Sequence, residues 1–234
     1  MNHGSAGRLE RVAAERVIEV GHISLCGFLE VPAGAKGVVA FAHGSGSSRF
    51  SRRNNAVAAY LRDGNLGTLL FDLLTPDEER RDLVTREHRF DIPLLSRRLQ
   101  GAVAWLAAQP GTADLMVGLF GSSTGAAAAL IAAAALPDKV AAVVSRGGRA
   151  DLAGAALPHV RAATLLIVGG ADTEVLRLNR AAQSRLTCRS ELAVVPHATH
   201  LFEEPGALEQ VASLTRDWFV RHLRPDQSVR RAVS

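Results

Sequence analysis

The sequence predicts an α/β fold, a mostly parallel central sheet with helices packed on both faces. Three observations lead there. Short continuous apolar runs such as GVVAFA (37–42), TLLF (68–71) and LLIV (165–168) alternate with longer segments of helical character. The runs stop at glycine or a polar residue, as buried strands do at a sheet edge. The 234 residues, 47% hydrophobic and 21% charged, suit one domain with a full core. The expected unit is the whole of 1–234, its core over about 17–223, with short flexible termini.

Each element follows from its residues. Residues 16–31, rich in Val, Ile and Leu around Gly21-His22, read as a β-hairpin. Residues 37–42 form a buried strand ending in His43-Gly44-Ser45-Gly46, and 54–62 a helix closed by Asp63-Gly64. Residues 68–71 are the next strand, ending at Asp72. The polar stretch 75–89 reads as a loop with some helix. Residues 92–109 are an amphipathic helix with Leu94, Leu95, Leu99, Val103 and Leu106 on one face. The alternation then continues: strand 114–120, alanine-rich helix 124–136, strand 140–145, a short irregular link, strand 164–168, helix 174–184, strand 191–195 and helix 207–223. The tail after 225 reads as frayed.

Several function classes fall away on composition. The net charge of +4 and pI near 9.8 raise nucleic-acid binding, but the arginines are scattered and one tyrosine offers little stacking surface. Cys26 and Cys188 make no disulfide framework and have no metal-ligand spacing. Met1 to Arg8 has no apolar stretch, so no signal peptide is expected. The most apolar segment, 124–136, is short of the roughly 20 residues a membrane span needs. The expectations are a reduced cytoplasmic setting, no membrane, no nucleic acid, no cofactor or metal, and a monomer or homodimer acting on a small molecule.

In open α/β sheets ligands sit beyond the carboxyl ends of the strands. Here those ends carry His43, Asp72, Ser123, Ser145-Arg146, Asp172 and, a little further on, His200. Gly121-Ser122-Ser123-Thr124-Gly125 is a G-x-S-x-G pattern lying between a strand and a helix, the setting of a nucleophile elbow. The bland alternative is a glycine-rich turn, with Ser122 as the competing serine. A serine hydroxyl needs a base and the base an orienting carboxylate, in the chain order Ser, acid, His. Asp172 follows an apolar strand and a Gly-Gly turn, where it would also make a good helix N-cap. His200 lies in a loop long enough to swing back over Ser123; His197 is the rival, and His222 falls inside the last helix. The oxyanion hole would take the backbone N–H groups of Thr124 and Ser45. His43 reads as a structural hydrogen-bonding residue.

AHGSGSSRFSRRN, VGLFGSSTGAAAAL, LLIVGGADTEV and HATHLFEEPGALE together resemble the dienelactone-hydrolase-like branch of the α/β hydrolases, over residues 17–223. The resemblance implies the α/β-hydrolase fold and supports Ser123, Asp172 and His200 as a triad. It departs at the nucleophile, which is cysteine in dienelactone hydrolase proper and serine here, so dienelactone is not the expected substrate. Some members of the branch sit beside a phosphoribosyltransferase-like domain, for which this chain has no room.

Residues 146–162 leave space for little or no lid, so an open site for small soluble esters, lactones or thioesters is expected. Arg49 and Arg146 are candidates for binding an anionic group on the substrate, against the plainer reading that they are solvated or paired with Asp72 or Glu203. Three other readings compete. A non-hydrolytic binding protein would keep the fold with a vestigial triad. An acyltransferase would use the same triad. A dinucleotide-binding module would use the glycines after 42, but Arg49 replaces the third glycine.

Overall fold

Strand β3 (Val38–Ala42) shows why the sheet is covered twice. Every residue in it is buried, with Val38, Ala40 and Ala42 in one apolar cluster and Val39 and Phe41 in another. Successive side chains of a strand point to opposite faces, so an unbroken apolar run needs a layer on each side. The computed structural model that establishes this describes residues 14–223. The termini expected to be flexible, the first eight residues and the frayed tail after 225 lie outside the described residues.

The sheet has eight strands in the order β1-β2-β4-β3-β5-β6-β7-β8. β1 (Glu15–Val20) and β2 (Ile23–Glu30) form the expected hairpin, and β2 runs antiparallel to β4 (Gly67–Phe71). All later pairings are parallel, through β5 (Val117–Ser122), β6 (Val140–Arg146), β7 (Ala163–Gly169) and β8 (Ser190–Val195). Helices α1 (Arg52–Asp63) and α6 (Ala207–His222) close one face with Val57, Leu61, Val211 and Phe219. Helices α3 (Ile92–Ala108), α4 (Thr124–Ala135) and α5 (Thr173–Gln183) close the other with Leu95, Leu99, Leu130 and Ala182. No helix among the described residues is long and apolar enough to cross a membrane.

The structure departs from the sequence reading in three places. Residues 75–89 contain a full helix, α2 (Pro76–Thr85), because Thr75 and Glu78 form a reciprocal capping box and Pro76 opens the helix. The irregular link after β6 holds a 3₁₀ helix, Ala150–His159, and no lid. Strand β5 starts at Val117 rather than 114, since Thr112 bonds the Leu106 carbonyl at 2.6 Å and its own carbonyl accepts the Leu115 N–H.

Helix α4 lies unusually close to the sheet. A Cβ on Gly125 would fall 2.2 Å from the Ala42 carbonyl oxygen and 2.5 Å from that of His43. The small side chains of TGAAAALIAAAA permit this approach along the helix. Gly125→Val is therefore expected to destabilise the fold by about 3 kcal/mol through overpacking. The check is a lower urea midpoint at unchanged slope; an unchanged midpoint would mean that the helix can move away freely.

Candidate active site

Ser123 joins the last residue of β5 to the first of α4 with φ 51° and ψ −123°. That conformation is unfavourable for any residue with a side chain and persists only where its surroundings enforce it. Here they do. A Cβ on Gly121 would lie 2.4 Å from the Ala126 Cα, and one on Gly44 would lie 3.0 Å from the Ser123 Cβ. The chain thus turns from strand to helix in one residue, with close contacts on both sides of the turn. The Ser123 N–H donates to the Arg146 carbonyl at 3.3 Å, and its own carbonyl accepts the Arg149 N–H at 3.0 Å. Asn179 of α5, fully buried, steadies that neighbouring loop through a 2.8 Å bond to the Gly148 carbonyl.

Asp172 occupies the N-cap position of α5 but makes no side-chain capping bond. Its Oδ2 instead lies 2.7 Å from His200 Nδ1. A carboxylate only accepts, so Nδ1 carries a proton, and in the neutral ring Nε2 is then the nitrogen with the free lone pair. The loops bearing the two residues are laced together: Gly170 N–H donates to the Val195 carbonyl and Ala171 N–H to that of Ala198. His200 packs on Gly147, where a Cβ would lie 3.1 Å from the His200 carbonyl and 3.6 Å from its Cε1. Gly147 directly follows Arg146, whose carbonyl holds the Ser123 N–H. Ser123, Asp172 and His200 therefore gather at adjoining strand ends. His197 sits exposed in a turn with φ 61°. His222, inside α6 as expected, is half-buried with its ring 4.4 Å from that of Trp218. Burial, then Arg189 and Arg221, hold its pKa below the ordinary imidazole value.

Ser45 and Thr124, the expected oxyanion donors, are also brought together. The Ser45 N–H donates to Thr124 Oγ1 at 3.1 Å, while the Ser45 hydroxyl donates to the Arg89 carbonyl at 3.1 Å. The remaining 2.9 Å contact must then run from the Thr124 hydroxyl to Ser45 Oγ. Thr124 opens α4, so its N–H has no partner within the helix. His43 is held at both ring nitrogens: Nδ1–H donates to the Gly44 carbonyl at 3.0 Å, and Nε2 accepts the Leu73 N–H at 3.1 Å. Burial pushes its pKa down, against the Gly44 bond. Both nitrogens are engaged by backbone, so the ring serves the loop.

The sequence reading missed the anchor of this loop. Asp82 is 3% exposed and accepts the His88 and Arg89 N–H groups and Arg89 Nε, at 2.8, 2.9 and 2.6 Å. Arg89 in turn receives the Ser45 hydroxyl. A cavity of about 60 Å³ separates α2 from the loop, lined by His43, Ser45, Glu79, Asp82 and Leu95 among others, and by none of Ser123, Asp172 and His200. The capping box TPDE was the signal that could have placed α2 over the loop.

The two candidate arginines part company. Arg49 is committed: its backbone N–H and guanidinium bond Asp72, its Nη2 bonds Glu15 at 2.5 Å, and its guanidinium stacks 4.3 Å from the Phe50 ring centre. That is the paired reading of Arg49, not the substrate-binding one. Among the described residues Arg146 bonds no carboxylate; it is 8% exposed and reaches Asn54 Oδ1, at 3.4 Å.

No protein-family model matches the chain. A solved dienelactone hydrolase from Anabaena variabilis is 55% identical, aligns over 91% of this chain and 98% of its own, and superposes with a TM-score of 0.90. A metagenomic dienelactone-hydrolase-like promiscuous phosphotriesterase is 17% identical over 90% and 98%, with a TM-score of 0.72, a likeness of fold. A Mycobacterium tuberculosis protein provisionally named a phosphoribosyl transferase is 57% identical over 88% of this chain. The chain spans 46% of that relative, about half its length.

Burial pushes the Asp82 carboxyl up, but the Arg89 N–H and guanidinium and the His88 N–H outweigh it and hold the carboxyl below its ordinary range. A folded value below the unfolded one stabilises at neutral pH, and the contribution fades as pH falls through the folded value. Asp82→Asn is expected to lower the thermal midpoint by several degrees at pH 7, with the gap to wild type closing in strong acid. A gap independent of pH would remove the carboxylate from the account.

Proposed function

This chain belongs to the dienelactone-hydrolase-like branch of the α/β hydrolases, and from that premise we propose that it is a serine hydrolase acting on small carboxylic esters, lactones or thioesters through an acyl-enzyme on Ser123. The observation that carries the reading is the 2.7 Å contact between His200 and Asp172. It gives Asp172 a partner other than its own helix and leaves His200 Nε2 as a free base, on the strand edge where Ser123 is held in its elbow.

The chemistry follows from those roles. Ser123 Oγ attacks the acyl carbonyl carbon while His200 Nε2 takes the hydroxyl proton. Asp172 stabilises the imidazolium and keeps the ring turned. Charge develops on the carbonyl oxygen, where the Thr124 N–H at the start of α4 and the Ser45 N–H meet it. The Ser45 amide exchanges its bond to the Thr124 hydroxyl for the oxyanion. The imidazolium then protonates the leaving alcohol or thiol, and a water, deprotonated by the same nitrogen, releases the acid. The short link between β6 and β7 leaves the site without a lid, which suits soluble substrates over lipid aggregates. Phosphoribosyl transfer, named for relatives about twice as long, has no corresponding observation in this half.

A fluorophosphonate probe tests the reading without a known substrate. One stoichiometric adduct mapping to Ser123 is expected, absent in Ser123→Ala and formed at least 100-fold more slowly in His200→Ala. Folded protein that takes up no probe would sink the hydrolase and leave a binding protein with an idle triad.

A further inference from the structure

Helix α1 begins against the grain of its own dipole. The N-terminal end of a helix is positive and favours acidic residues, yet the first turn of α1 has none and opens instead with Arg52 and Arg53. A third cation points at the same turn. The Arg146 guanidinium, 8% exposed, touches Asn54, the third residue of the helix. Its Nη1 is buried with no hydrogen-bond partner, and so is Arg53 Nε. Arginine forces this cost: burial, then the nearby Arg53, bring the Arg146 pKa down to about 10, which still leaves it charged at neutral pH.

The surrounding carboxylates do not repair the balance. Asp72 and Glu15 are taken by Arg49. Glu204 accepts the Thr199 N–H. Among the described residues it is Glu203 that reaches the cluster, at 2.9 Å from Arg53, and that pair is solvent-exposed. A buried guanidinium without a counter-ion, beside a second one and a helix N-terminus, is an arrangement that an anion completes. It also adjoins the strand end at which Ser123 turns into its helix. Arg146 is the strand end that holds the Ser123 N–H, and Glu203 comes three residues after His200.

We propose that Arg146, Arg53 and the first turn of α1 form a subsite for a phosphate-type dianion carried by the substrate, with Glu203 holding the place until it arrives. Two guanidinium groups and a helix N-terminus match a doubly charged, many-acceptor group better than a carboxylate. This deepens the hydrolase reading, on which it rests for the ester bond; the anion site itself stands on the side chains named.

Calorimetric titration with inorganic phosphate and with succinate separates the two chemistries, using wild type, Arg146→Gln, Arg53→Gln and Glu203→Gln, each checked for folding by circular dichroism. Phosphate is expected to bind at least tenfold more tightly than succinate. Arg146→Gln is expected to weaken it at least tenfold and Arg53→Gln, at a partly exposed position, at least threefold. Glu203→Gln is expected to tighten it. Phosphate binding that is absent, matched by succinate or indifferent to both arginines would overturn the subsite. The kinetic arm compares p-nitrophenyl 4-phosphonobutyrate with p-nitrophenyl pentanoate. Wild type is expected to favour the phosphono ester at least tenfold in kcat/KM, a ratio that collapses in Arg146→Gln. Hydrolysis of both esters at equal efficiency in both proteins would refute the subsite and spare the hydrolase. Arginine-dependent phosphate binding without any ester turnover or fluorophosphonate adduct would do the reverse.

Discussion

Helix α4 rides almost on the backbone of the sheet, and the site depends on that contact. With glycine at 121 and 125 and alanine along the buried face, the helix axis can approach until backbone meets backbone. Only then must the chain reverse within one residue, and that residue takes φ 51°. The strain at Ser123 is thus a consequence of packing, held in place by two core layers. The same approach puts the start of the helix, with its unpartnered N–H groups, beside the Ser45 loop. The Ser123 turn, Thr124 and the Ser45 loop are placed by one close contact.

Around it, hydrogen bonds transmit position. Asp82 fixes Arg89, the Arg89 carbonyl fixes the Ser45 hydroxyl, and Ser45 and Thr124 hold each other. On the other side, Asn179 holds Gly148 and the Arg149 N–H holds the Ser123 carbonyl. The chain mixes side chains bonding backbone, as at Ser45 and Asn179, with a side-chain pair at Asp82 and Arg89 and a backbone bond at Arg149. The helices that carry these links, α2 and α5, act on the site without touching the reacting atoms.

Much of this was legible in the sequence because it follows from period and punctuation. Runs such as VVAFA and LLIV, buried on both faces, announced the parallel sheet, and the strand-end rule gathered Ser123, Asp172 and His200 with His43, Asp72 and Arg146 as candidates. What escaped notice depends on distance along the chain. Arg49 and Arg146 look alike in sequence; Asp72 and Glu15 commit the first, and among the described residues no carboxylate bonds the second. The N-cap role of Asp172 stood as the alternative in sequence; in the fold a histidine 28 residues away lies 2.7 Å from its carboxylate. Helix α2 was read only as some helix within a loop, for another reason: its charged, polar surface hides the period that reveals buried helices, and its capping box marks where it starts.

The central claim is that Ser123 and His200 work as one unit oriented by Asp172. A kinetic cycle on p-nitrophenyl acetate, comparing Ser123→Ala, His200→Ala and the double variant, bears on it most directly. Residues that act together lose almost everything with the first removal. The double variant is expected to hydrolyse the ester no more slowly than the slower single variant, each at least 1,000-fold below wild type on the order seen for such triads. Losses that multiply, with each single variant retaining substantial activity, would mean that the two side chains act independently and would contradict the account.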